Sequence, residues 1–111
     1  MAAQPTINVQ KKQYGWKIVS AAATLTPADR KVEIVGVGSN FTVTLPPVKE
    51  AEEMVPYVFR MTARGSSETI TLADGGDDSV WSNLSFNAVA DWLVLISDGE
   101  HWLNIAANSV S

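Results

Sequence analysis

The chain has no cysteine, and that absence removes a disulfide framework, a thiolate zinc site and a cysteine nucleophile together. It leaves the redox compartment open and suits a protein folded in reducing cytosol. Histidine is nearly absent too: His101 stands alone, so a serine nucleophile would have to recruit it, and no Gly-x-Ser-x-Gly elbow occurs. No apolar run approaches the length that spans a bilayer. Met1-Ala2-Ala3-Gln4-Pro5 shows no basic stretch leading into an apolar one, so no signal peptide is expected. The sequon Asn40-Phe41-Thr42 therefore carries little weight. Gly36-Val37-Gly38 lacks the lysine and helix of a phosphate-binding loop.

What remains is enough for one packed domain. The 111 residues are 46% hydrophobic and 18% charged, a balance that supports a core and argues against wholesale disorder. The net charge of -4 hides an asymmetry. Residues 1–28 hold Lys11, Lys12 and Lys17 and no acid, whereas the chain from Asp29 onward holds five basic and twelve acidic residues. An acidic body argues against a nucleic-acid-binding domain, whose folded face should be basic. The cationic leading segment suits an arm docking on an acidic protein neighbour, or a chain end with solvated lysines.

The dominant period is two. Phe41, Val43 and Leu45 alternate with Thr42 and Thr44, the pattern of a half-buried strand, and Pro46-Pro47 ends it. Val32–Val35 forms another strand before the Gly36–Asn40 turn. Val55, Tyr57, Phe59 and Met61 share one face, with Val58 and Arg60 on the other. Thr69–Leu72 repeats the alternation after Arg64-Gly65-Ser66-Ser67. Trp92–Ile96 and Trp102–Ile105 flank Asp98-Gly99, a pair that favours a hairpin turn. Leu93–Ile96 is apolar on both sides, so covering is expected on both faces, by a second sheet or another subunit. Lys49–Met54 has room for a turn or two of helix between Pro47 and Pro56, and Ala21–Ala28 reads as a connector or short strand. The expected fold class is all-β: a single β-sandwich or jelly-roll-like domain over 29–111, preceded by an extended N-terminal arm over 1–28.

Candidates for chemistry are few. His101 sits beside Trp102 on the return strand, where a lone histidine reads as a strand residue. Asp74-Gly75-Gly76-Asp77-Asp78-Ser79 has carboxylates and loop carbonyls suited to calcium or to glycan contact, yet lacks the spacing of a calcium loop and a distal bidentate glutamate. No catalytic residue, metal site or cofactor is expected. Four tryptophans in so short a chain carry more information. Trp92 and Trp102 suit the terminal hairpin, while Trp16, beside Tyr14 and three lysines, suits an anchor on a partner or a neighbouring subunit.

Phe41-Thr-Val-Thr-Leu-Pro-Pro47, Tyr57-Val-Phe59, Thr69-Ile-Thr-Leu72, Gly75-Gly-Asp77, Leu95-Ile-Ser-Asp-Gly99 and Trp102 together resemble a small β module of tailed-bacteriophage structural proteins. That module occurs in capsid decoration (cement) proteins and in head and tail fibres, and the resemblance covers about residues 29–106. The Glu50–Met54 stretch is more acidic than the module's pattern, and Trp81 stands where a polar turn is common. The resemblance implies a non-enzymatic homotrimer in the virion. The shortness of the chain, with no repeat or coiled-coil shaft, favours a decoration protein on the capsid exterior, made in the host cytoplasm. Its expected partners are the major capsid protein and further copies of itself, with no nucleic acid and no membrane. Lys11, Lys12, Tyr14, Trp16 and Lys17 are the expected capsid-binding residues, and Trp92, Leu93 and Leu95 the expected subunit interface. The alternative is a fibre tip or receptor-binding module that recognises carbohydrate.

Overall fold

The computed structural model describes residues 15–74 and 84–110. Within them the chain forms nine strands: β1 (Lys17–Val19), β2 (Ala23–Thr24), β3 (Lys31–Gly36), β4 (Phe41–Thr44), β5 (Tyr57–Arg64), β6 (Ile70–Ala73), β7 (Leu84–Phe86), β8 (Trp92–Ser97) and β9 (Trp102–Asn108). The helical turn expected in the Lys49–Met54 region is a single 3₁₀ turn, Val48–Glu50, held between Pro47 and an extended Ala51. The fold is all-β, as the period-two pattern requires.

Two mixed sheets share one hydrophobic core. The five-stranded sheet has the order β1-β3-β5-β8-β9, and the four-stranded sheet the order β2-β4-β6-β7. The first six strands alternate between the sheets, so the chain winds as a coil and each turn adds one strand to each sheet. In consequence β1, β3 and β5 run parallel, as do β2, β4 and β6. This corrects the jelly-roll-like expectation in one respect, because a jelly roll pairs its strands antiparallel. Only the closing strands are antiparallel: β7 on β6, β8 on β5 and β9 on β8.

Part of the expected leading arm, 1–28, is among the described residues. Residues 1–14 lie outside the described residues, but Lys17–Val19 and Ala23–Thr24 are the first strand of each sheet. Val19 and Leu25 are buried in the core. These strands are too short to show a period, and they are held by pairing with β3 and β4.

Side chains tie successive turns of the winding together. Asn40 Oδ1 accepts the Thr69 N–H at 2.9 Å, and Glu68 Oε2 accepts the Gly38 N–H at 3.0 Å. The core is closed by Trp102 and Tyr57, which meet edge to face with centroids 5.2 Å apart. Such a pair contributes about 0.5–1.5 kcal/mol beyond its buried area. The Tyr57 hydroxyl donates to the Pro27 carbonyl at 2.8 Å and accepts the Glu52 N–H at 3.2 Å, joining two loops that the sequence separates.

A candidate docking groove on the outer face of the five-stranded sheet

Strand alternation decides what the outer face presents. On β5 and β8, Tyr57, Phe59, Met61, Leu93 and Leu95 turn inward and are almost fully buried. Val58, Arg60, Trp92, Val94 and Ile96 take the opposite side. The antiparallel register sets Val58 opposite Val94 and Arg60 opposite Trp92, while parallel pairing with β3 brings Glu33 beside Arg60. Covering of β8 by a second sheet is therefore found on its inner face, and Trp92 on the outer face remains 39% exposed.

Arg60 organises this surface. Its guanidinium reaches Glu33 Oε1 at 3.3 Å and lies 3.9 Å from the centre of the Trp16 ring. Thr62 Oγ1 donates to the other oxygen of Glu33 at 2.9 Å, so the carboxylate is held from two sides. The Arg60 Nε is buried without a hydrogen-bond partner. Around these side chains lies a groove of about 460 Å³ lined by Trp16, Val58, Arg60, Val89 and Trp92.

The far wall depends on Asp91. This buried carboxylate accepts the N–H groups of Asn87 at 3.0 Å and Ala88 at 3.1 Å, closing the loop that precedes β8. The Ala90 N–H bonds the Met61 carbonyl and the Met61 N–H bonds the Asp91 carbonyl. Val89 is thereby presented at the rim, 55% exposed. A second cavity, about 680 Å³, adjoins through Trp16 and Val58 and is lined by Lys17, Asp29, Arg30 and Lys31. Its charges are partly internally paired: Lys17 lies 3.9 Å from Asp29, and Arg30 lies 3.1 Å from Glu52.

The residues singled out from sequence divide in three. Lys11, Lys12 and Tyr14 lie outside the described residues. Trp16, Lys17 and Trp92 border the two joined cavities, so the expected anchor and the expected interface meet on one surface. Leu93 and Leu95 do not: both are 0% exposed, because alternation from Trp92 sends them into the chain's own core. Trp16 is also engaged by its own Arg60. Sequence reasoning missed Arg60, Glu33, Val89 and Asp91, and only the assignment of Arg60 to the face opposite Phe59 pointed toward the groove.

His101 belongs to the hairpin turn. Asp98 Oδ1 accepts the N–H groups of Glu100 at 2.8 Å and His101 at 2.7 Å, and these bonds hold the Asp98 carboxyl below the usual carboxylate range. The His101 ring lies 3.6 Å from the same carboxylate. Of the Asp74–Ser79 segment only Asp74 is among the described residues. No group of three or more histidine, aspartate or glutamate side chains is placed to hold a metal among the described residues. Comparison with known proteins found no matching family model and no matching curated protein.

Proposed function

We propose that this chain is a structural protein of a tailed-phage virion, a non-enzymatic decoration (cement) protein that trimerises and binds the outer surface of the capsid. We read its two sheets as the layers of a sandwich whose outer face serves attachment. The observation that carries this reading is the groove between Trp16 and Trp92 with Arg60 at its floor. Tryptophan and arginine are the residue types that concentrate binding energy at protein interfaces, and neither Trp16 nor Trp92 is consumed by the core. The module resemblance, over Phe41–Pro47, Tyr57–Phe59, Thr69–Leu72 and Leu95–Trp102, supplies the assembly.

In this reading the basic segment with Lys11, Lys12, Tyr14, Trp16 and Lys17 reaches the major capsid protein, and Trp92 contacts a neighbouring copy. Repetition over the shell makes individually weak contacts strong together. The deciding experiment is quantitative mass spectrometry of purified virions of the phage that encodes the chain. A copy number comparable to the major capsid protein is expected. A trace count, or absence, overturns the decoration role.

Two tryptophans flanking an arginine also suit stacking on a sugar ring, which favours a carbohydrate-binding fibre tip as the second reading. That reading requires a trace copy number together with glycan binding by the isolated chain.

A further inference from the structure

Ser97 is a polar side chain with 0% exposure, at the end of β8. A buried hydroxyl needs partners, and this one has two. It donates to the Val48 carbonyl at 3.1 Å and accepts the Gly99 N–H at 3.0 Å. The second bond falls on Asp98-Gly99. In such a dipeptide the aspartate side chain can react with the next backbone nitrogen, because glycine has no Cβ to hinder the approach.

We infer that Asp98-Gly99 is a latent isomerisation site, which Ser97 and the closed turn hold unreactive. In the reaction the Gly99 nitrogen loses its proton and bonds to Asp98 Cγ, and a carboxyl oxygen leaves as water. Water then adds at either carbonyl of the cyclic imide. One opening restores aspartate; the other leaves isoaspartate, with the chain running through the side-chain carbon. The folded turn opposes the first step at both reacting groups. The nucleophile is engaged, since the Gly99 N–H is directed at Ser97 Oγ. The electrophile is anchored: Asp98 Oδ1 accepts the Glu100 and His101 N–H groups at 2.8 and 2.7 Å, and the Asp98 N–H bonds the His101 carbonyl at 3.1 Å. Asp98 therefore cannot turn toward Gly99 without breaking these bonds.

The charges around the turn act in the same direction. The Glu100 and His101 N–H groups, with the His101 side chain, favour the ionised Asp98 carboxylate, whereas water leaves from the neutral acid. The Glu53 carboxylate stands beside Gly99, where an added Cβ would meet its Oε1 at 2.8 Å, and its charge opposes loss of the Gly99 proton. Isoaspartate inserts one more carbon into the turn. The bonds to Glu100 and His101 are then lost, and the strand that carries Trp102 into the core loosens.

The inference does not rest on the virion reading. Its test ages the purified chain at mildly acidic pH and reads isoaspartate at Asp98 by peptide mapping, which separates it from Asp74-Gly75. Folded wild type should convert about tenfold or more slowly than the same chain in concentrated urea, because the turn's bonds must break first. Ser97→Ala should speed conversion in the folded chain about threefold or more. Gly36→Val, at the opposite end of the five-stranded sheet, should not, which separates a local guard from general loosening. Exchange of the Gly99 amide in wild type needs no variant and should be slower than in an unstructured chain. Equal conversion in buffer and urea would overturn the inference. So would a folded rate that Ser97→Ala leaves unchanged or that Gly36→Val raises as much, or unprotected exchange at Gly99.

Discussion

The guanidinium carbon of Arg60 lies 3.9 Å from the centre of the Trp16 ring, which joins the segment before β1 to the outer face of β5 across two strands of the sheet. A double-mutant cycle with Trp16→Ala and Arg60→Met should return a coupling of about 0.5–1 kcal/mol by chemical denaturation. Additive effects would show that the two side chains act independently.

Adjacent positions on β8 should separate stability from attachment. Leu93→Ala leaves a cavity in the core and should cost about 2–5 kcal/mol of unfolding free energy. Trp92→Ala should cost about 1 kcal/mol or less, since the ring is partly exposed, while under the decoration role proposed above it weakens association with capsids. Urea denaturation and capsid co-sedimentation of both variants check the contrast.

The loop that forms the groove wall holds Ala90 at a φ of 80°, in the left-handed region that favours glycine. Ala90→Gly should therefore raise stability, by up to about 1 kcal/mol, despite the entropy glycine adds to the unfolded chain. A higher melting temperature is the expected result.

At Gly36 the two sheets approach closely. A Cβ there would stand 3.0 Å from Ile70 Cγ1 on the opposite sheet and from Met61 Cε on its own. Gly36→Val should overpack this point and cost about 1–3 kcal/mol, read from the denaturation midpoint.

The hairpin predicts an acid-side dependence. The Glu100 and His101 N–H groups lower the Asp98 pKa, with the His101 side chain acting in the same direction and desolvation opposing. A depressed folded-state pKa contributes stability that is fully present above the unfolded value, about 3.9, and lost as pH falls through the folded value. The stability difference between wild type and Asp98→Ala should shrink as pH falls through that acid range. A difference that grows on acidification would contradict the assignment.

Six strands were legible in the sequence: β3, β4, β5 and β6 because each alternates over about four residues or more, and β8 and β9 because two apolar runs flank the Asp98-Gly99 turn. The inward set Tyr57, Phe59 and Met61 was legible for the same reason. β1 and β2, at three and two residues, offer no period to read. The groove was hidden for another reason: Trp16, Arg60, Val89 and Trp92 come from separate parts of the chain, and nothing local states that they converge. Leu93 and Leu95 show the reverse error. An apolar run looked wide enough for two buried faces, and the fold covers one of them.

The sequence by itself determined the class of structure, through the two-residue period, the proline and glycine stops and the Asp98-Gly99 turn, where Gly99 adopts a φ of 95°. These are local consequences of backbone geometry. Tertiary structure alone decided that strands would pair in parallel across the windings, with Phe41 meeting Ile70 and Lys31 meeting Val58. Such a register is chosen by how the inward side chains fill a common core, a property of the whole chain that no short segment carries. That same choice decided which tryptophans were left on the surface.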